Sequence, residues 1–183
     1  VVVLDHGGGE AAYRAVNSCL LFLPMLQGRR VYTAEGIRGR GGALHPAQSA
    51  MVDTRGSQCG YCTPGIVMSL FAAAYRTGLA EWQVDDQLAG NLCRCTGYKA
   101  IREAGQRIAS SVAEDRFTER LTSSSDEPRG LRYEARSAVH GSQRYLQPTN
   151  LDELFSMRAI HGEAPLVAGG TDLGLQVTKR YVH

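Results

Sequence analysis

The sequence predicts an α+β protein: a short β segment, then a group of small helices, then a second mixed segment. Three observations carry this expectation. Residues 1–43 hold two β-like runs, VVVL at the start and RVYTAEGI at 30–37, with a Gln27–Gly28 turn between apolar stretches. Residues 44–117 carry apolar side chains at helical spacing. From Tyr145 a capped helical pattern leads into an apolar run and a Gly-rich turn.

The bulk composition narrows the function classes. The 183 residues suffice for one ordinary domain or two small ones, and 43% hydrophobic with 21% charged residues is the balance of a soluble globular chain. The net charge of +2 is spread without a Lys/Arg block, so nucleic acid is not implied as a partner. The longest apolar run, LLFLPML, is far short of the roughly 20 residues that span a bilayer, and no membrane association is expected. The opening VVVLD has no basic region and no cleavage site of an export signal, which makes a cytoplasmic location the default expectation. It also lacks a Met, and the chain stops abruptly at TKRYVH, so a piece of a longer protein is expected.

Within 44–117, Leu44, Ala47 and Met51 mark a first helix with Pro46 near its start, and His45 reads as a helix-start residue rather than a ligand. Thr63 is the expected N-cap of a second helix with Pro64 at its first position. Ile66, Val67, Leu70, Phe71 and Ala74 form its apolar stripe, and Gly78 ends it. Val84 and Leu88 mark a third helix, which Asp85 and Asp86 are expected to cap or lead. A fourth begins near Tyr98, with Ile101, Ala104, Gly105 and Ile108 on one face. Four short amphipathic helices imply a small four-helix bundle. Residues 118–144, with TERLTSSSDEPRG, are polar and aperiodic and read as a surface linker. Beyond them, TNLDELFSMRAI reads as a helix capped by Asn150, and APLVAGGTDLGLQV as a strand, a Gly-rich turn and a second strand.

The cysteines carry the chemistry. QCGYCTPG holds Cys59 and Cys62, and NLCRCTGY holds Cys93 and Cys95. Each pair sits just before a predicted helix, where free N–H groups and the helix dipole favour thiolate. A thioredoxin-like redox pair would explain only the first two. Structural zinc uses four thiolates, although C-x-C is an unusual spacing for it, and an iron–sulfur cluster also takes four. Buried cysteines without a ligand are a further reading, since free Cys is often simply core.

GSQCGYCTPGIVMSL and GNLCRCTGYKAIREA closely resemble the second [2Fe–2S] domain of the molybdenum hydroxylases, the xanthine dehydrogenase and aldehyde oxidase family. The resemblance implies that Cys59, Cys62, Cys93 and Cys95 hold one [2Fe–2S] cluster in the four-helix segment at 44–117. YRAVNSCLLFLPMLQGRRVYTAEGI resembles the fourth-cysteine segment of the β-grasp, plant-ferredoxin-like domain that precedes it in the family. Residues 1–43 would then be the C-terminal part of that domain. Cys19 would be the last ligand of the first cluster, with its three partners expected upstream of Val1, so that this chain alone should not hold that cluster. YLQPTNLDEL and LVAGGTDLGLQV resemble the start of the family's FAD domain, here 145–183, after the linker at 118–144. By that resemblance Leu166, Val167, Ala168, Gly169, Gly170, Thr171, Asp172 and Leu173 carry FAD contacts.

The order of these segments looks like the small iron–sulfur/flavin subunit of a bacterial xanthine dehydrogenase, an order also found in single-chain members of the family. The resemblance implies oxidoreductase chemistry in which a molybdopterin-binding large subunit, or a further region, hydroxylates the substrate. Electrons would pass from it through both clusters to FAD and then NAD+. Gln58 and Cys95 are the expected contacts on the pterin side. Arg94, between two ligands, is expected to stabilise the negative cluster, and the N–H groups of Gly60, Tyr61, Arg94 and Gly97 are candidate donors to its sulfurs. Xanthine or hypoxanthine is the first expectation for substrate, and an aldehyde or another N-heterocycle the second. A different class remains, a zinc-stabilised interaction domain without catalysis; bound metal separates the two.

Overall fold

The computed structural model describes residues 1–5, 11–76, 78–109, 115–122, 131–137 and 141–180. They fall into two compact units, one of residues 1–16 with 30–125 and the other of residues 17–29 with 126–183.

The first unit begins with a three-stranded antiparallel sheet. β1 (Val2–Asp5) is central, between β2 (Ala12–Ala15) and β3 (Arg30–Tyr32). Val2 lies opposite both Ala15 and Tyr32. Val2, Val3 and Leu4 are all buried, as a strand covered on both faces requires. β2 was not expected, because AYRA has no apolar run to announce it. The third strand was expected to run to Ile37, whereas it ends at Tyr32. The Thr33 hydroxyl accepts the Gly36 N–H at 3.3 Å and Gln48 donates to the Ala34 carbonyl at 2.9 Å, which folds 34–37 into a turn.

Four helices follow: α1 (Pro46–Asp53), α2 (Thr63–Ala74), α3 (Glu81–Leu88) and α4 (Lys99–Ala109). α2 packs against α1, α3, α4 and the sheet, while α4 packs against α1 and α3. Every residue of α2 from Ile66 to Ala74 is buried, so the helix is central rather than amphipathic with one stripe. α4 keeps the expected face, with Ile101, Ala104, Gly105 and Ile108 buried. Leu44, expected on the first helical face, precedes α1 and is exposed. Asp85 and Asp86 neither cap nor lead α3. They lie inside it, where Asp85 accepts two hydrogen bonds from Arg102 of α4 at 2.7 and 2.9 Å.

Gly105 is where α4 crosses α3. A Cβ there would collide with Val84 Cγ1 and touch Leu70 and Leu88. Gly105→Ala is expected to destabilise the unit by about 1–2 kcal/mol. Overpacking against a stiff β-branched neighbour outweighs the ~1 kcal/mol of helix propensity that Ala gains. Chemical denaturation of Gly105→Ala, and of the same variant combined with Val84→Ala, checks this: the second change should recover most of the loss.

α5 (Arg116–Thr122) completes this unit. It lies partly inside the stretch read as a linker, and it inserts Phe117, 1% exposed, among Tyr13, Tyr32, His45, Phe71 and Tyr75. Arg116 stacks on Phe117 with its guanidinium 4.6 Å from the ring centroid and donates to the carbonyls of Gly36 and Arg38. Tyr13 donates to the Phe117 carbonyl at 2.9 Å.

His45 is the N-cap of α1, as its place before Pro46 suggests. Its Nδ1 accepts the Ala47 N–H at 3.1 Å, and its own N–H goes to Gln48 Oε1. Nε2 therefore carries the proton of the neutral ring and points to the Tyr75 hydroxyl at 2.8 Å, which donates to Asp115 at 2.7 Å. Burial pushes the imidazole down to about 4, against the opposing pull of Asp115. The folded pKa lies below the unfolded value, so the unfolded chain binds more protons between about pH 6.5 and 4. Stability is then fully present above that window and falls through it on acidification, by up to ~3 kcal/mol. His45→Asn keeps a side-chain cap and removes the titration. Unfolding free energies measured at pH 7 and pH 4.5 should differ markedly less in that variant than in the parent.

The second unit contains the hairpin β4 (Leu131–Ser137) and β5 (Gly141–Gln147), α6 (Leu151–Ile160) and α7 (Leu173–Arg180). The hairpin replaces the remainder of the expected linker among the described residues. Tyr133 faces Tyr145 across it, and Ser142 donates to Glu134 at 2.7 Å. Asn150 caps α6 as expected, accepting the Glu153 N–H at 2.9 Å. The segment at 164–177 contains no strand: α7 stands where the second strand was expected. Leu173, Leu175 and Val177 alternate, yet the Gly174 N–H reaches the Gly170 carbonyl at 2.7 Å and starts a helix. Gly174 is buried, and a Cβ on it would stand 2.8 Å from the Leu20 carbonyl oxygen, so only glycine fits there without a shift.

Candidate metal centre

Two loops at helix starts carry the four cysteines. Residues 58–62 bend into α2. Gly60 takes a φ of 83°, which a side chain would resist, and its carbonyl accepts the Thr63 N–H at 3.2 Å. The helix begins one residue earlier than the sequence suggested. Cys62 is the N-cap residue, Thr63 is the first helical residue and Pro64 the second. The Thr63 hydroxyl does not cap; it lies 2.6 Å from Ser57 Oγ. The second loop runs from Asn91 to Tyr98 into α4, with Gly97 and Tyr98 both at a φ of 65°.

A polar clamp joins the two loops. Asn91 donates to Ser69 of α2 at 2.8 Å, and a Cβ on Gly65 would stand 2.8 Å from its Oδ1, closer than side chains pack. The Tyr98 hydroxyl accepts the Cys93 N–H at 2.7 Å and donates to the Asn91 carbonyl at 3.4 Å. That network fixes the backbone of the C-x-C turn on the first turns of α2.

Two pairs of thiols lie close enough to shift each other's titration, Cys59 with Cys95 and Cys62 with Cys93. The pairs differ in setting. Cys59 and Cys95 are exposed, Cys62 is half-buried and Cys93 is buried. The thiols are also tuned differently. Cys93 falls to about 7, first because of the Thr96 hydroxyl 3.2 Å from its sulfur, then because of the Thr96 and Cys95 N–H groups. Cys59 is lowered by the Tyr61 N–H and then by Cys95, Cys62 is raised by burial, and Cys95 is raised by its hydrogen bond to Cys59. Among the described residues, no group of three or more His, Cys, Asp or Glu side chains is placed to hold a single metal ion. Four neighbouring thiols, backed by N–H and O–H donors, are the donor set that a two-iron cluster would take.

The other residues singled out from sequence lie as follows. Gln58 and Arg94 are exposed beside the ligands, and Tyr61 is 95% exposed. Of the expected backbone donors, Tyr61 does point at a sulfur. Thr96 and Tyr98 were missed, although hydroxyl residues three and five positions beyond Cys93 are a readable signal. Cys19 belongs to the second unit, exposed on a single 3₁₀ turn (Ser18–Leu20) that packs against α7. In the Gly-rich stretch, Leu166, Ala168, Gly169, Thr171 and Asp172 are exposed, Val167, Gly170 and Leu173 are partly buried, and Gly170 has a φ of 79°.

Comparison with known proteins bears on the same region. Residues 33–106 match the family model described as a [2Fe–2S] binding domain. The chain is 34% identical to the xanthine dehydrogenase of Drosophila subobscura over 95% of its own length, but spans only 16% of that protein. It is 42% identical to aldehyde oxidase 1 of Cavia porcellus over 58% of this chain and 8% of that one. Among solved structures it is similar to quinoline 2-oxidoreductase from Pseudomonas putida 86, with 31% identity, a TM-score of 0.46, and coverage of 51% of this chain and 59% of the other. The chain thus carries a [2Fe–2S] binding domain and has xanthine dehydrogenases and aldehyde oxidases among its homologues.

Proposed function

We propose that this chain is the electron-transfer part of a molybdenum hydroxylase, with Cys59, Cys62, Cys93 and Cys95 holding one [2Fe–2S] cluster. The observation that carries the reading is the convergence of these four thiols as two pairs on loops clamped together by Asn91 and Tyr98. When bound, the cluster accepts and releases one electron at a time. The chain's own residues set how it does so. Cys93, its N–H tied to Tyr98, anchors the buried side. Cys59 and Cys95 open the other side to the surface, where Gln58 also lies. We assign that exposed side to a molybdopterin-binding partner, either a separate subunit or another region.

In the second unit, Cys19 supplies one thiol, and no other cysteine in the chain remains to join it. Exposed on the 3₁₀ turn Ser18–Leu20, it is read as one ligand of a further cluster. Residues 166–173 are read as the FAD pyrophosphate loop, supported by exposed Gly169 and Thr171 in a turn that leads into α7. NAD+ is the proposed final acceptor. Xanthine dehydrogenase is the first reading for the whole protein, supported by the Drosophila relative that aligns along nearly all of this chain. An aldehyde oxidase, supported by the guinea-pig relative, or another N-heterocycle hydroxylase is the second.

Anaerobic titration with dithionite, followed by electron paramagnetic resonance, tests the role. The chain should take up one electron per pair of irons and develop a rhombic signal of a reduced [2Fe–2S] cluster. A colourless, silent protein that takes up no electron would remove the electron-transfer reading and favour a zinc-held scaffold.

A further inference from the structure

We infer that Thr96 sets the reduction potential of the cluster through a hydrogen bond from its hydroxyl to the Cys93 sulfur. The inference rests on the proposed cluster at Cys59, Cys62, Cys93 and Cys95, and it adds a residue that is not itself a ligand.

Thr96 Oγ1 lies 3.2 Å from Cys93 Sγ and also 3.2 Å from the Tyr98 nitrogen. The Tyr98 N–H can only donate, so it takes an acceptor position on Oγ1. The hydroxyl proton is then free for the sulfur, and a metal-bound thiolate can only accept it. The Cys93 N–H cannot compete for the sulfur, because it is committed to the Tyr98 hydroxyl at 2.7 Å. Tyr98, held at a positive φ of 65°, thus fixes both ends: its ring hydroxyl holds the ligand's backbone and its N–H orients the Thr96 hydroxyl. Cys93 is 6% exposed, so solvent is not at hand to replace the donor.

Reduction adds one negative charge to the cluster. A hydrogen bond to a more negative sulfur is stronger, so the Thr96 hydroxyl favours the reduced form, and hydrogen bonds to cluster sulfurs are among the means by which proteins set these potentials. No counterpart is found among the described hydrogen bonds of the exposed Cys59–Cys95 pair, where the side-chain donor is another cysteine. Arg94 is nearer in sequence but exposed, and water screens its charge.

The test is a redox titration of the iron- and sulfide-loaded chain, monitored by electron paramagnetic resonance, for the parent, Thr96→Val, Thr96→Ser and Arg94→Ala. Thr96→Val keeps the shape and removes the O–H. The reduced-to-oxidised ratio at a fixed potential should fall about tenfold, a shift of about 59 mV to more negative values for one electron. Thr96→Ser restores the donor and should return the potential close to that of the parent, and Arg94→Ala should move it less than Thr96→Val does. An unchanged potential in Thr96→Val would overturn the inference. So would an equal shift in Thr96→Ser, which would mean that loop packing, not the hydroxyl, is responsible. If Thr96→Val does not assemble the cluster, Thr96→Ala provides the same comparison without a branched side chain. Iron and sulfide content separates this inference from the reading beneath it: a parent chain that binds no cluster fails the proposed function, whereas a loaded chain with an insensitive potential fails only Thr96.

Discussion

Cys93→Ser is expected to strip the chain of iron more completely than serine at any other of the four positions. Serine offers a harder, shorter and less acidic donor than thiolate, and iron–sulfur clusters select soft sulfur ligands. Site by site the loss should differ, because the surroundings differ. Cys93 is buried and clamped by Tyr98, so a serine oxygen there can neither move toward the iron nor be replaced by water. Cys59 and Cys95 lie at the surface, where solvent or a shifted loop can partly compensate. Residues that merely support a metal ligand typically cost roughly 10–100-fold in affinity, and Cys93→Ser should exceed that. Iron retained after gel filtration, compared across the four serine variants, is the measurement. Equal retention in Cys93→Ser and the parent would remove Cys93 from the ligand set.

The largest stability effect is expected at Phe71. Its side chain is fully buried, with ring centroids of His45 and Tyr75 at 4.9 Å, and of Tyr13 and Phe117 at 5.0 Å. Tyr32 lies at 6.2 Å. These partners come from the sheet, the α1 N-cap, the C-cap of α2 and α5, so Phe71 holds the first unit together rather than one helix pair. Phe71→Ala should cost about 3–5 kcal/mol, through lost transfer energy and the cavity left between rings that cannot all close in. Against a total of roughly 5–15 kcal/mol for a domain, that is enough to leave the unit marginal. Urea denaturation of the first unit's transition should show it, with Phe71→Leu losing much less.

The contrast between these two residues indicates what the sequence reveals. The cysteine loops were legible because spacing and helix-start residues are local signals. C-x-x-C before Thr63–Pro64 and C-x-C before Gly97–Tyr98 place thiols at helix N-termini without any tertiary information. The buried face of α4 was legible for the same reason, since Ile101, Ala104, Gly105 and Ile108 repeat at helical spacing. What escaped the sequence depends on partners far along the chain. α5 carries one fully buried side chain, Phe117, and its place is set by Arg116 and Tyr13 reaching across 80 residues or more. β4 alternates Leu131, Tyr133 and Ala135 with Arg132, Glu134 and Arg136, a period-two signal that the polar stretch just before it masks, whereas β5 carries its apolar residues side by side at Tyr145 and Leu146. α7 stands where a strand was expected; three apolar residues alternate there, whereas the close approach of Leu20 to Gly174 belongs to tertiary packing. At the site, the hydroxyls of Thr96 and Tyr98 are readable from their spacing after Cys93, but which groups they and Asn91 bond depends on side-chain directions that no local pattern carries.

The central claim is that four cysteines from two loops hold two irons. Iron, acid-labile sulfide and zinc, measured together on the anaerobically purified chain, test it most directly. The account predicts two irons and two sulfides per chain, negligible zinc, and a red-brown protein. One zinc per chain with no sulfide would contradict it and make the Asn91–Tyr98 clamp the frame of a structural zinc site.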